Sequence, residues 1–105
     1  MAVVRISRGC FEAAQFAEVR RLIEESATVL VPAIQRLRGL LYYHAAVDAG
    51  SNTVVNVSVW ADLDAANQMS TLAEMLAQRP ILEAAGVAFD KIVNYEPLWE
   101  IEPVA

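Results

Sequence analysis

Asn56, Ser58 and Trp60 recur at every second position of the segment TVVNVSVW, residues 53–60, so in a strand their side chains share one face. An amide, a hydroxyl and an indole on one face can hydrogen-bond and enclose a small molecule. Val54 joins them, while Thr53, Val55, Val57 and Val59 take the other face. With so little polarity on either side, both faces are expected to meet other protein surface, and Asn56 and Ser58 then need hydrogen-bond partners or a ligand. Tyr42 and His44 in the preceding segment LLYYHAAV reach the same pocket if the two strands pair with same-parity residues opposite. A lone histidine is more often a hydrogen-bonded core residue than an acid-base catalyst. Cys10 has no neighbour that marks a nucleophile and is expected to be a small half-buried side chain.

The elements that must position these residues follow from periodicity. Val3 to Arg8 alternates weakly as a first strand, and Gly9 interrupts it before a helical pattern from about Phe11. Phe16, Val19, Ile23, Ala27, Leu30, Ile34 and Leu37 then fall at spacings of three and four, one stripe of one helix. Glu18, Arg21 and Glu25 form its solvated face. Pro32 predicts a kink or short break in this helix, and Gly39 its C-cap. Leu40 to Val47 is a second strand, joined by the Gly/Ser/Asn-bearing segment 48–52 to the third, its antiparallel neighbour. Asp62 is placed to cap the next helix, Asp64 favours its first turn, and Leu63, Ala66, Met69, Leu72 and Leu76 supply its buried face. Pro80 restarts a short helix over Ile81 to Ala85, and Gly86 closes it. Lys91 to Ile101 is the last strand, and Pro97 assigns it to a sheet edge or to the point where the chain leaves the sheet. The order βαββαβ gives an α+β, ferredoxin-like antiparallel sheet with both helices on one face.

Composition removes several functions. Residues 1–105 suffice for one domain, and their 56% apolar content exceeds the usual 45 to 50% or so without any run long enough to span a membrane. A net charge of −5 argues against nucleic acid and anionic membranes as partners. One cysteine precludes an intrachain disulfide, one histidine and one cysteine are too few for a zinc site of the usual kind, and no glycine-rich phosphate loop follows a strand. The N-terminus lacks the pattern of a signal peptide, so the expected location is the cytoplasm. The valines on the uncovered sheet face would form a patch larger than a monomer usually exposes, so a homodimer joined through its sheet faces is expected, with Val55 and Val57 at the contact.

Gly39 before the second strand, the strand ending in Trp60, the helix start from Asp62 to Met69 and the closing VNYEPLWEI resemble the dimeric α/β-barrel superfamily that includes the antibiotic biosynthesis monooxygenases. Two branches of that superfamily bear on function. Haem-degrading members look to use an asparagine near the first strand and a tryptophan and histidine on the second helix, whereas this chain has no asparagine there and places Met69 and Arg79 at the helix positions. Cofactor-free members that oxidise polycyclic phenols pair an asparagine with a tryptophan four residues on, as Asn56 and Trp60 are spaced. Their tyrosine on the following helix has no match, Ala66 occupying that region. That resemblance implies an oxygenase without cofactor or metal, in which Asn56 holds the oxyanion of a small phenol or enol and Trp60 forms an apolar wall. A non-catalytic dimer that binds a small ligand or serves as an accessory subunit is the alternative.

Overall fold

In a computed structural model that describes residues 2–104, five strands form one antiparallel sheet. They are β1 (Val3–Cys10), β2 (Leu40–Asp48), β3 (Thr53–Trp60), β4 (Ala88–Phe89) and β5 (Val93–Tyr95), with α1 (Phe16–Gln35), α2 (Leu63–Asn67) and α3 (Ala73–Ala84) between them. The order is β2-β3-β1-β4, and β5 also pairs with β1. This is the ferredoxin-like arrangement. All three helices cover one sheet face, because Val19 and Ile34 of α1, Ala65 and Ala66 of α2 and Leu82 of α3 pack against the even-numbered side chains of β3.

Two apolar clusters hold the layers together, one at each end of β3. Trp60 packs with Ile34, Ala65, Ala66 and Met69, and Val54 packs with Val19 and Val87. Between Val54 and Trp60 the same face carries Asn56 and Ser58, which cannot contribute to an apolar core. The helix layer therefore closes at its ends and stays open in the middle.

Several elements depart from what local pattern predicts. Strand β1 runs through Gly9 to Cys10, and Gly9 pairs with both Val54 and Phe89. A Cβ there would lie 2.6 Å from the Val87 side chain, so this glycine admits a crossing chain and does not end a strand. Cys10 is exposed. Helix α1 continues through Pro32 without a break, since apolar residues packed on both sides of the proline, Val19 and Ile34 among them, outweigh one missing backbone bond. The helix stops at Gln35, so Gly39 is not its cap; with φ of +76° it turns the chain into β2, where its carbonyl accepts the Ala61 N–H at 2.8 Å.

The second helical segment breaks at Thr71–Leu72 and not at Pro80, which lies inside α3. Tertiary bonds explain the early break. The Gln68 carboxamide accepts from the Arg38 N–H at 3.2 Å and donates to the Arg38 carbonyl at 2.7 Å, tying a 3-10 turn at residues 68–70 to the α1–β2 connection. Asp62 caps α2 as expected, accepting the Ala65 N–H at 2.8 Å. Of the expected last strand, Lys91 to Ile101, only Val93–Tyr95 pairs in the sheet; the two-residue β4 precedes that range, and beyond Tyr95 the chain leaves the sheet at Pro97. Leu98 and Trp99 are then 90% and 77% exposed. Among the described residues no helix is long and apolar enough to cross a membrane.

Candidate functional site

The gap in the helix layer is a cavity. Antiparallel register sets its floor in two cross-strand rows: Tyr43, Ser58 and Arg5 are successive neighbours in one, Ala45, Asn56 and Ser7 in the next. Directly opposed residues project to the same side of a sheet, so all six face the helices. The space above Arg5, Ser7 and Ser58 measures about 300 Å³ and is bounded on the helix side by Gln78 and Arg79 of α3. It continues under α1 into a second lobe of about 350 Å³ that shares Tyr43, Asn56, Met75 and Phe89. No Asp or Glu lines either lobe.

Ser58 and Trp60 are 2% and 0% exposed, and the Trp60 indole N–H donates to Ser58 Oγ at 2.9 Å. A buried indole needs an acceptor, and Ser58 supplies it. The bond leaves the serine O–H free: it donates to no protein acceptor among the described residues. Asn56, one pleat away, likewise makes no side-chain hydrogen bond among the described residues. Two short donors thus face the cavity from alternate positions of β3.

Arg5 is only 8% exposed, yet it forms no ion pair or side-chain hydrogen bond among the described residues. Burial pushes its guanidinium pKa down, partly countered by Tyr43. Burial also pushes the Tyr43 hydroxyl up to about 12, against the pull of the Arg5 charge. At neutral pH Tyr43 is therefore a protonated donor and Arg5 a cation. At the cavity edge the Arg79 guanidinium carbon lies 5.2 Å from the Phe89 ring centre, and Arg79 Nε is 3.7 Å from Glu83 Oε1.

The structure separates the residues singled out by sequence. Asn56 and Ser58 line the cavity; Trp60 faces the same side but lies in the apolar cluster beyond it. Tyr42 and His44 do not reach it. They oppose Val59 and Val57, on the sheet face away from the helices, with their rings 4.4 Å apart. The four residues between paired Asp48 and Thr53 set odd-with-even pairing, which turns Tyr43 inward in their place. A bulge at Leu41 then lets Leu40 also point inward, opposite Trp60. Arg5, Ser7 and Tyr43 were not anticipated from sequence, and an arginine at an inward position of β1 was the only local signal for them.

No group of three or more His, Cys, Asp and Glu side chains able to hold a metal comes together among the described residues. No protein-family model matches the chain, and no curated protein sequence matches it. Solved structures do. The cofactor-independent oxygenase SnoaB from Streptomyces nogalater, in an asparagine-to-alanine variant, superposes with a TM-score of 0.70 at 17% identity, over 97% of this chain and 98% of that one. A protein of Deinococcus radiodurans, named provisionally as an antibiotic biosynthesis monooxygenase, gives 0.71 at 20% identity with both chains fully covered. Rv0793 from Mycobacterium tuberculosis gives 0.71 at 18% identity over 97% of this chain and all of its own. The chain therefore shares the fold of solved proteins named as antibiotic biosynthesis monooxygenases.

Proposed function

We propose that this protein is a cofactor-independent oxygenase of a small aromatic or enolic compound, acting as a homodimer. The observation that carries the reading is the Asn56 amide, placed on the cavity floor without a side-chain hydrogen bond among the described residues, beside the free O–H of Ser58. Preorganised donors of this kind stabilise an oxyanion without reorganising as charge develops. A phenol or enol held there loses its proton to water in the cavity, and the carbon of the resulting anion, electron-rich, reduces dioxygen and forms a C–O bond, the peroxide taking a proton back to give the hydroperoxide. Loss of water from the hydroperoxide leaves a carbonyl, so a CH₂ group and O₂ become C=O and H₂O. Trp60 acts through Ser58 as a positioning residue. The shared fold with SnoaB, named a cofactor-independent oxygenase, supports the class of reaction.

Oxygen uptake with anthrone-like phenols and quinols, without added metal or flavin, tests this. Wild type is expected to exceed the uncatalysed rate. Asn56→Ala should lose about 1.5 to 3 kcal/mol of transition-state stabilisation, a tenfold to hundredfold fall in kcat/KM at little cost in stability. Equal background rates for wild type, Asn56→Ala and Trp60→Phe, with no ligand-induced rise in melting temperature, would leave the non-catalytic dimer as the reading.

A further inference from the structure

Arg5 is the one feature of the cavity that holding a neutral phenol does not explain. A cation in the interior normally has a carboxylate partner, because desolvation without compensation is costly. Arg5 is 92% buried by the 8% exposure of the residue, and among the described residues nothing pairs with it. Its guanidinium borders the cavity, where it keeps contact with solvent. The surroundings repeat the same sign. Arg79 lines the same lobe, its charge partly offset by Glu83 3.7 Å away outside the lining, and no Asp or Glu lines the lobe itself, in a chain whose net charge is −5. In an acidic protein, a cavity floored by an unpaired arginine and free of carboxylates selects for negative charge.

We propose that the cavity is a binding site for an aromatic or enolic carboxylate, with the carboxylate on Arg5 and the apolar body extending under α3 toward Met75 and Leu82. A carboxylate fits better than a phenolate for two reasons. The countercharge must persist at neutral pH, and a carboxylic acid is ionised there whereas an ordinary phenol is not. A guanidinium also presents a planar pair of N–H donors that matches the two oxygens of a carboxylate. Tyr43 and Ser58 share a row with Arg5, which Asn94 of β5 continues on the far side, and Asn56 and Ser7 occupy the next row, so a second oxygen of the ligand meets Asn56 while the carboxylate is held. The first lobe, at about 300 Å³, is at the small end of ligand cavities, the size for roughly two or three fused rings.

The inference rests on the cavity assigned above and requires no turnover. Binding is therefore measured under argon, so that a protein which binds the acid but takes up no oxygen keeps this inference and loses the oxygenase. The probes are 3-hydroxy-2-naphthoate and its neutral carboxamide, titrated calorimetrically into wild type, Arg5→Met, Arg5→Lys and Arg79→Gln. Wild type should bind the carboxylate at least tenfold more tightly than the amide, and Arg79→Gln should keep most of that preference. Arg5→Lys should retain part of it. Arg5→Met should bind both probes alike, with a melting temperature no lower than wild type, since Arg5 makes no ion pair or side-chain hydrogen bond among the described residues that the substitution would break. A structural role for Arg5 would instead lower that temperature. Equal affinity of wild type for the two probes, no carboxylate binding up to millimolar concentration, or a preference that survives in Arg5→Met would each overturn the proposal. Should Arg5→Met not fold, the wild-type comparison and Arg5→Lys still decide it.

Discussion

The bond from Trp60 to Ser58 joins the core to the cavity. Its donor is a fully buried indole, its acceptor a hydroxyl that borders open space, and the two residues are adjacent on one face of β3. Ser58→Ala would leave the indole N–H buried without a partner, so it should lower stability by about 1 to 3 kcal/mol in urea denaturation. In a Trp60→Phe background the same substitution should cost much less, because no donor remains to be orphaned. An equal cost in both backgrounds would show that the hydrogen bond carries little of the effect. Polar residues here thus divide by what they touch: Ser58 is anchored from below, and the Asn56 and Arg5 side chains have no hydrogen-bond partner among the described residues.

Among the elements, the connection from α1 to β2 governs how the sheet meets the helices. Gly39 has φ of +76°, and a Cβ on it would come within 2.8 Å of the Ala65 Cβ, at the start of the short helix behind Trp60. Gly39→Ala should destabilise by at least about 1 to 2 kcal/mol, the cost of a left-handed alanine, with the contact to Ala65 adding to it. Chemical denaturation measures this, and an unchanged midpoint would mean the turn relaxes freely. Neighbouring bonds reinforce the same corner: Arg38 Nη1 is 3.2 Å from the Asp62 carboxylate that caps α2, and both Arg38 and the Ala65 N–H hold the Asp62 pKa below its usual value. A carboxyl whose folded pKa is depressed contributes stability above its unfolded pKa, near 4, and loses that contribution as pH falls through the lower folded value.

At the scale of the molecule, the chain exposes more surface than its size requires. Its accessible area is 6803 Å², whereas a compact monomer of 11.5 kDa has roughly 5,800 Å². The radius of gyration, 14.3 Å, also exceeds the roughly 12.9 Å of a compact chain of this length. The excess goes with the segment after Pro97, whose Leu98, Trp99 and Ile101 project into solvent, and with the sheet face away from the helices, where Val55, Val57 and Val59 are half-buried and Tyr42 and Tyr95 are exposed. Specific interfaces remove about 800 Å² from each partner, an area of the same order. A second copy covering both features is the dimer proposed above. Val57→Glu, on the face away from the helices, should dissociate or unfold the protein, read by light scattering with circular dichroism. A well-folded wild-type monomer at micromolar concentration would overturn the dimer.

Local chemistry determined a good part of this protein from sequence alone. Period-two valines defined β3 from Thr53 to Trp60, a carboxylate before an apolar run marked the Asp62 cap, and the order of elements led to the ferredoxin-like sheet. The alternation of β3 also brought Asn56 and Ser58 together, since period two is a property of a single strand. Only tertiary structure decided what lies opposite them. A change of one residue in hairpin register reverses every side chain of β2, and the four-residue loop places Tyr43 inward and sends Tyr42 and His44 outward. The position of Arg5 depends on pairing across half the chain, from β1 to Ser58 of β3, and no local window of sequence around Arg5 contains that partner. Pro32, Pro80 and Gly9 misled for the same reason. Their local preferences are a few kcal/mol at most, and packing of α1, α3 and the crossing chain at Val87 outweighed them.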